Sequence, residues 1–473
     1  MELKRTKIVA TLGPASSSVE VIKEMHDKGL NVCRLNFSHG DHSVHEENIK
    51  HVKQVNNEIN SNIAILADLQ GPKLRVGEME NGGCEIISGE KIVFTNKECI
   101  GSSKKVFMTY QNFAKDVNPG ELILIDDGKL AVKVQHSNGN DEVIAVVEHG
   151  GILKSNKGVN LPNTKISLPS LTKKDREDLD YILTQDVEWI ALSFVRSAKD
   201  IVELRNLIQD AGKNLKIIAK IEKPEAIDDI DNIVNEADAI MVARGDLGIE
   251  VPYQDVPLLQ KMMVKKCLKA SKPIIVATQM MESMIDGITP SRAEVNDVAN
   301  AVMDGADAVM LSGETSVGKH PGLVIETMTN IVKKVEEYDD IYNHDYLPIY
   351  REERFVSDNI CVSAVTLAES VDAKAIITMT VSGYTARKIS SQRSRAFTYV
   401  YTSNRAILNM LNLVWGVQAF YYDNSSSTDN NINDIKTSLI DKGVIKKGDF
   451  FINIASMPIK LKGKTNTLKL SQA

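Results

Sequence analysis

Eight short apolar runs recur along this chain, and most are followed by a polar turn and then by a helical pattern. The runs are KIVATLG, VCRLNFS, IAILADL, WIALSFV, KIIAKIE, AIMVARG, PIIVATQ and AVMLSGE. Unbroken aliphatic and β-branched runs are typical of parallel strands that are buried on both faces. Amphipathic segments such as 199–211 and 256–270 lie between them, and Ser291 with Glu294 forms a helix capping box. The sequence therefore predicts a (β/α)8 TIM barrel, an α/β fold.

The third and fourth runs are separated by about 120 residues, too many for one crossover connection. Residues 70–162 alternate between apolar and polar positions and contain the turn signals NPGE, DDGK and SNGND. We therefore predict a small inserted β-barrel domain at 70–162, between barrel segments 1–69 and 163–345. The βα pattern returns in 346–473, with a helical pattern at 358–370, a strand at 375–379 and a polar loop at 423–434, which predicts a C-terminal α/β domain.

Composition excludes several classes of protein. The formal net charge of -7 argues against a general nucleic-acid or acidic-membrane surface, because both need clustered lysine and arginine. The five cysteines are scattered and form no C-x-x-C pair, as expected for reduced thiols. No apolar stretch reaches the length of a signal-peptide core or a membrane span. We therefore expect a cytoplasmic protein without nucleic-acid or membrane partners.

Polar residues close several of the apolar runs, where a barrel collects catalytic side chains from the carboxyl ends of its strands. Because side chains two positions apart in a strand share a face, Lys220 and Glu222 point together. Glu222 and Asp246 are about one βα unit apart, which places them on neighbouring strand ends. Two carboxylates beside open space suit Mg²⁺ or Mn²⁺. The other strand-end residues are Arg34, Asn36, Ser38, His39, Asp68, Arg244, Gly245, Thr278 and Gln279.

Each of these signals also has an ordinary structural explanation. Lys220 and Glu222 could form a solvated ion pair, and Arg34 with Asp68 could be a purely structural salt bridge. Their convergence on adjacent strand ends favours a catalytic site instead. Cations next to a two-carboxylate metal site suit a substrate with phosphate and carboxylate groups, and the segment from Gly245 to Gly248 could open a short anion-binding helix. The residues predict metal-assisted phosphoryl transfer.

Several long motifs resemble the pyruvate kinase family, which transfers phosphate from phosphoenolpyruvate to ADP. They include CRLNFSHG (33–40), LADLQGPKLRVG (66–77), KGVNLP (157–162), AKIEKPEA (219–226), MVARGDLGIE (241–250), VATQMMESM (276–284) and DVANAVMDGADAVMLSGETSVGKHP (297–321). The resemblance runs almost end to end and implies the same three domains, a glycolytic role and a homotetramer.

The resemblance also implies residue roles. Glu222 and Asp246 would hold Mg²⁺ or Mn²⁺, and Lys220, Thr278 and Arg75 would take part in catalysis. The residues implied to contact phosphoenolpyruvate are Arg34, Lys220, Gly245, Asp246 and Thr278. The residues implied to face ADP or ATP are Asn36, His39, Arg75 and Lys157.

The chain departs from the family pattern at a monovalent-cation site. Members that need K⁺ bind it at positions matching Asn36, Ser38, Asp68 and the carbonyl of Leu69, and they carry an acidic residue where this chain has Lys73. Because a lysine ammonium supplies the same unit charge, we predict that Lys73 replaces the ion and that K⁺ is not required.

A second departure lies in the C-terminal domain. The segment Thr378 to Thr385 resembles the family's effector loop for sugar phosphates, and Ser382 with Gly383 could cradle a phosphate. Two other segments that take part in this loop region of the family differ in this chain, where they read SQRS (391–394) and SMPIKLKGKTN (456–466). The sequence therefore leaves open whether a sugar phosphate regulates the protein.

Two alternatives to a pyruvate kinase are open from the residues alone. A barrel lyase or aldolase acting on an enolate-forming acid could use the same metal site and Arg34, but it would have no nucleotide for Arg75 and Lys157 to hold. A catalytically silent regulatory relative is expected to lack one of Lys220, Glu222 or Asp246, and all three are present.

Overall fold

The N-terminal segment forms the first three strands of a parallel barrel. A computed structural model describes residues 3–342, 346–348, 353–423, 428–457 and 464–473, with the backbone alone at 428–431. Its first elements are β1 (Lys7–Thr11), α1 (Val19–Lys28), β2 (Val32–Asn36), α2 (His42–Ile59) and β3 (Ala64–Asp68). Side-chain caps fix the helix starts, because Ser18 accepts a hydrogen bond from the Val21 amide and Asp41 does the same for Ser43 and Val44.

The inserted segment, between β3 and α4, is a domain made mostly of β-strands, which we call the lid. Its elements are β4 (Gly83–Ile86), β5 (Lys91–Thr95), β6 (Lys105–Phe107), α3 (Phe113–Asp116), β7 (Leu122–Ile125), β8 (Leu130–Ser137), β9 (Glu142–His149), β10 (Gly151–Lys154) and β11 (Val159–Asn160). One sheet has the order β11-β7-β8-β9-β5-β6, and β10 pairs with β4. Register shifts between β8 and β9 bend the sheet. Among the described strands it stays open, so the predicted small barrel is a curled half-barrel.

The chain then completes the barrel. The remaining elements are α4 (Lys173–Thr184), β12 (Trp189–Leu192), α5 (Ala198–Asp210), β13 (Lys216–Ile221), α6 (Pro224–Asp228), α7 (Ile230–Glu236), β14 (Ala239–Ala243), α8 (Arg244–Glu250), α9 (Val256–Ala270), β15 (Ile274–Ala277), α10 (Arg292–Met303), β16 (Ala308–Leu311), α11 (Gly313–Ser316) and α12 (Pro321–Val335). The barrel closes in the order β1-β16-β15-β14-β13-β12-β3-β2. All eight apolar runs are strands of it, which confirms the predicted TIM barrel.

A third unit follows the barrel, as predicted. It comprises α13 (Phe355–Ser370), β17 (Ala375–Met379), α14 (Tyr384–Ser391), β18 (Phe397–Thr402), β19 (Val417–Tyr421), α15 (Thr428–Asp441), β20 (Phe450–Ala455) and β21 (Thr467–Gln472). The sheet order is β19-β18-β17-β20-β21, with only β21 antiparallel to its neighbour. The prediction of a loop at 423–434 is wrong in its second half, because α15 begins at Thr428. Residues 424–427 of that loop lie outside the described residues, and so do residues 458–463 of the segment 456–466.

Across the described ranges, no helix is both long enough and apolar enough to span a membrane.

The C-terminal domain closes the base of the barrel. Met410 and Leu411 pack in one cluster with Val9, Leu66 and Trp189 of the strands. Arg393 is 1% exposed, bonds Asp307 at 3.1 Å and donates to the Gly305 carbonyl at 2.5 Å. The whole segment 391–394, compared above with the effector region, is buried at this junction. Packing against the barrel is enough to explain why residues 391–394 are buried, and no ligand is needed to explain it.

Glu188 ties the barrel base to the C-terminal domain. Its Oε2 accepts a hydrogen bond from the Ile65 amide at 2.7 Å, and its Oε1 accepts one from Asn409 Nδ2 at 3.0 Å. Burial raises the pKa of Glu188 to about 7, Asp186 adds to the rise, and the two hydrogen bonds oppose it. The carboxyl group therefore resists ionisation in the folded state.

This shift predicts how stability depends on pH. Because the folded pKa of Glu188 lies above its unfolded value, the stabilisation from this group is complete below the unfolded pKa of 4.5 and is lost as the pH rises through about 7. We expect Glu188→Gln to remove this fall in the free energy of unfolding, which is about 3 kcal/mol. Urea unfolding at several pH values, with exposed Asp210→Asn as the control, measures it. Equal slopes in wild type and Glu188→Gln would contradict this assignment.

Candidate active site

Four charged side chains form a continuous chain at the carboxyl ends of β2, β3 and β13. Arg34 Nε donates to Asp68 Oδ2 at 2.7 Å. Lys220 Nζ lies 3.3 Å from Asp68 Oδ1 and 3.1 Å from Glu222 Oε1. The register of the parallel strands produces this contact, because β2 and β3 end side by side. The structure thus brings together the predicted residues Arg34, Asp68, Lys220 and Glu222.

Burial makes these contacts electrostatically strong. Asp68 is fully buried and the Lys220 side chain is only 11% exposed. Burial alone would lower the pKa of Lys220, but the charges of Asp68 and Glu222 outweigh it and raise that pKa. Burial would likewise raise the pKa of Asp68, yet Lys220 and Arg34 hold it below its usual value. Lys220 is therefore an ammonium and Asp68 a carboxylate near neutral pH.

Glu222 and Asp246 have the properties of a divalent-cation site. Burial raises the pKa of Glu222, and the charge of Asp246 raises it further against the opposing effect of Lys220. Glu222 Oε2 accepts from the Phe194 amide at 2.6 Å, whereas Asp246 has no hydrogen bond or ion pair with any residue the structure describes. A divalent cation would relieve the repulsion between the two carboxylates. No larger group of metal-binding His, Cys, Asp or Glu occurs among the described residues, so water and substrate would supply the other ligands.

Thr278 has a strained backbone at the end of β15. Its φ is 71° and that of Gln279 is 54°, in a region that β-branched residues rarely adopt. Arg244 braces this turn, because it donates to the Thr278 carbonyl at 2.7 Å and pairs with Asp297 at 2.6 Å. The Thr278 hydroxyl accepts from the Gly245 amide at 2.7 Å, so Thr278, Gly245 and Asp246 lie together. Asp297 was absent from the sequence-based predictions.

Ser193 is a second residue that those predictions missed. Its hydroxyl accepts a hydrogen bond from Lys220 Nζ at 2.6 Å and donates one to the Leu69 carbonyl at 2.7 Å. The next residue, Phe194, has a φ of 53°, which turns its amide toward Glu222. The signal was available, because Ser193 is the polar residue that closes the fourth apolar run.

The predicted monovalent-cation residues are neighbours on β2 and β3. Asn36 pairs in register with Asp68, and its Oδ1 accepts from the Ser38 amide at 3.1 Å. Lys73 is exposed, and it lies close enough to His39 to help lower the pKa of that imidazole, after burial and together with Arg75 and Arg34. The region around His39 is therefore strongly positive.

Arg75 and Lys157 belong to the lid. Arg75 Nη1 donates to the Asn156 carbonyl at 2.8 Å, and Lys157 Nζ pairs with Asp126 at 2.7 Å. Asp126 sits in the DDGK turn that the sequence predicted, with a φ of 55°. The structure therefore holds Lys157 against the lid and does not bring it to the strand-end cluster.

A cavity separates the lid from the barrel beside Asp246. Its lining includes Lys73, Asp127, Asn160, Lys223 and Glu250. Glu250 Oε1 accepts hydrogen bonds from Lys223 at 2.7 Å and from Asn160 of β11 at 2.8 Å. The lid is thus bonded to α8, the helix that carries Asp246, and the cavity opens onto the predicted metal site.

Comparisons with known proteins agree with this geometry. Residues 3–325 match the family model described as pyruvate kinase, barrel domain, and residues 358–471 match that described as pyruvate kinase, alpha/beta domain. A pyruvate kinase of Corynebacterium glutamicum is 44% identical over 98% of this chain and 97% of its own length. One of Geobacillus stearothermophilus is 41% identical over 99% of this chain and 80% of its own length.

A solved structure gives the same result. The crystal structure of a pyruvate kinase from Cryptosporidium parvum superposes with a TM-score of 0.93 at 35% identity, covering 99% of this chain and 96% of that one. Similarity of this extent covers the barrel, the lid and the C-terminal domain together, and it removes the lyase or aldolase alternative. The chain belongs to the pyruvate kinase family.

Proposed function

We propose a division of roles among these residues for the pyruvate kinase reaction, in which a phosphoryl group passes from phosphoenolpyruvate to ADP and gives pyruvate and ATP. The observation that supports it most is the charged, buried Lys220 between Asp68 and Glu222. Phosphoryl transfer depends mainly on positioning and neutralisation of charge, and a buried ammonium provides both. The presence of Lys220, Glu222 and Asp246 together argues against a silent relative.

Glu222 and Asp246 would hold Mg²⁺ or Mn²⁺. When bound, such an ion polarises phosphoryl and carboxylate oxygens and offsets their negative charge. The Phe194 amide keeps one Glu222 oxygen fixed, which leaves Oε1, now shared with Lys220, to turn toward the ion. Asp246 needs no such exchange, because its carboxylate is not engaged with a described residue.

Arg34, Lys220 and Gly245 would bind phosphoenolpyruvate. Asp68 holds Arg34 and Lys220 on its two oxygens, so their positive charges stay in place without the substrate. Lys220 would then stabilise the charge that develops as the phosphoryl group leaves the enolate oxygen. The Gly245 amide, which now donates to Thr278, could donate instead to a substrate anion.

Thr278 would position the proton donor for the methylene carbon of the enolate. An unperturbed hydroxyl is a poor acid, so a water molecule oriented by Thr278 is the better donor. The strained turn at Thr278 and its Arg244 brace support this role, since strain of this kind concentrates at functional positions.

Asn36, His39, Arg75 and Lys157 would contact the nucleotide. Arg75 lies near enough to His39 for its charge to lower the pKa of that imidazole. Lys157 is farther from this role, because it would have to break its ion pair with Asp126 before it could bind a phosphate oxygen. A movement of the lid toward the barrel would make that exchange and exclude water, which competes for the phosphoryl group.

We expect the activity to be independent of K⁺. In buffers free of K⁺ and NH₄⁺, kcat should stay within about twofold of its value with KCl, because the Lys73 ammonium supplies the monovalent charge. Lys73→Glu should make the enzyme dependent on added KCl, and Lys104→Glu, an exposed lid residue, is the matched control. Many-fold activation of the wild type by KCl would refute the role of Lys73.

Family membership also supports a homotetramer and a cytoplasmic location. The proposed domains are 1–69 with 163–345, 70–162, and 346–473. Sedimentation velocity of the purified chain would test the proposed homotetramer, and a dimer or monomer at micromolar concentration would contradict it.

Limited proteolysis would test the proposed domain boundaries, with first cuts expected near residues 70, 162 and 345.

A further inference from the structure

Glu250 has one oxygen that is fully engaged and one buried oxygen that is not. The residue ends α8, and its side chain is 1% exposed. Its Oε1 accepts hydrogen bonds from Lys223 Nζ at 2.7 Å and from Asn160 Nδ2 of the lid at 2.8 Å. Its Oε2 is buried and has no hydrogen-bond partner among the described residues. Because buried carboxylate oxygens normally accept hydrogen bonds, Oε2 requires a further donor.

The cavity between the lid and the barrel can hold such a donor. Its volume is about 40 Å³, which is room for a few water molecules. Glu250 and Asp246 both line it. The two residues are four positions apart in α8, and residues at this spacing share one face of a helix. Glu250 therefore lies on the same side of the helix as the proposed metal ligand Asp246.

The cations around this cavity do not satisfy Glu250 Oε2. Lys223 is bound to Oε1, and Arg196 Nη1 donates to the Ile166 carbonyl at 2.6 Å. Lys73 also lines the cavity, but it is exposed and does not donate to Oε2. Water is therefore the donor that suits this cavity.

The proposed metal site would bring water to this position. A divalent cation that is held by only two protein carboxylates keeps several water molecules as ligands. The charge of the ion makes the protons of these water molecules strong hydrogen-bond donors, which favours an anionic acceptor beside them. Loss of such an acceptor typically lowers the affinity for the metal by about 10- to 100-fold, because the water ligands are no longer held in place.

We propose that Glu250 is a positioning residue for the divalent cation, with Oε2 accepting a hydrogen bond from a water ligand of the ion at Asp246. The inference rests on the proposed metal site at Glu222 and Asp246, and it adds a residue that does not touch the ion. Because Oε1 of the same carboxylate binds Asn160, one side chain connects the lid to the water shell of the metal.

Mn²⁺ binding to the full chain without substrates tests the proposal, with free Mn²⁺ measured by electron paramagnetic resonance. Glu250→Gln keeps the size of the side chain but replaces one acceptor oxygen with an N–H donor. If the remaining oxygen stays on Lys223 and Asn160, the amide nitrogen faces the water ligand and cannot accept its proton. We expect the affinity for Mn²⁺ to fall at least about tenfold.

A double variant separates the loss of an acceptor from the effect of an unpaired lysine. Glu250→Gln leaves Lys223 without its ion-pair partner, and that charge would itself repel Mn²⁺. Lys223→Met/Glu250→Gln removes both charges of this buried pair, a change that proteins often tolerate. The affinity of the double variant for Mn²⁺ should also be at least about tenfold below that of the wild type.

Asp127→Asn is the matched control, because Asp127 lines the same cavity from the lid and is exposed. Its affinity for Mn²⁺ should stay within about twofold of the wild type, since solvent screens an exposed charge. The proposal is overturned if Glu250→Gln or the double variant loses less than about tenfold in affinity, or if Asp127→Asn loses as much as Glu250→Gln.

Variants of the two direct ligands distinguish failure of this inference from failure of the metal site. Weakened binding in Asp246→Asn and Glu222→Gln, without weakening in Glu250→Gln, would refute the role of Glu250 alone. Unchanged affinity in all three variants would refute the metal site and the role of Glu250 together.

Discussion

Replacing Lys220 with glutamine should lower kcat about a thousandfold or more, with a much smaller change in KM for phosphoenolpyruvate. In the proposed mechanism the ammonium of Lys220 faces the position where negative charge develops, and removal of one such group typically costs several kcal/mol of transition-state stabilisation. The variant should still fold, because Asp68 still accepts a hydrogen bond from Arg34 and Glu222 still accepts one from the Phe194 amide. Steady-state kinetics with varied phosphoenolpyruvate and ADP measure the effect.

Lys216→Gln is the matched control for that experiment. Lys216 begins the same strand, β13, at the opposite end of the barrel, where it lies 3.6 Å from Asp238. The control should keep kcat within about threefold, as expected for a partly exposed ion pair. If Lys220→Gln kept more than a tenth of the wild-type kcat, the assigned role of Lys220 would be wrong.

Asp246→Asn and Glu222→Gln should each weaken Mn²⁺ binding at least a hundredfold, because each removes half of the protein's anionic ligands at the site. Mn²⁺ affinity in the wild type should also rise with pH. The raised pKa of Glu222 means that a proton competes with the ion for this carboxylate at low pH, and that competition ends above the pKa. Electron paramagnetic resonance of free Mn²⁺ measures affinity without any turnover.

Glu225→Gln provides the control for the metal experiment. Glu225 follows Glu222 by three residues at the start of α6 and has no role in the proposed site. Its Mn²⁺ affinity and pH dependence should match those of the wild type. Unchanged Mn²⁺ affinity in both Asp246→Asn and Glu222→Gln would place the metal elsewhere.

The strand-end cluster could be predicted because two periodicities determine it. Alternation along a strand put Lys220 and Glu222 on one face, and the βα repeat put Asp246 next to them. The turn at Thr278 could not be predicted, because it is braced by contacts that are distant in sequence: Arg244 lies 34 residues before it and Asp297, the partner of Arg244, lies 19 residues after it. Ser193 could have been found by the rule applied to the other strands.

In the lid and the C-terminal domain, the features that could not be predicted are those that depend on contacts between residues distant in sequence. Turn residues located the strands of the lid, but whether its sheet closes depends on register shifts such as those between β8 and β9. The pairing of Lys157 with Asp126 arises from contacts across the lid. Arg393 is buried because it reaches Asp307 of the barrel, 86 residues away in sequence, and local pattern carries no signal for such a contact.

We propose that Lys220, Glu222 and Asp246 form the centre of a metal-assisted phosphoryl transfer to ADP. The most direct test follows phosphoenolpyruvate, ADP and ATP by phosphorus NMR and pyruvate by proton NMR, using the purified chain with Mg²⁺ present and after its removal by a chelator. We predict that ATP and pyruvate form together, only with ADP and Mg²⁺. Pyruvate formation that continues without ADP, or at an undiminished rate after chelation, would contradict the claim.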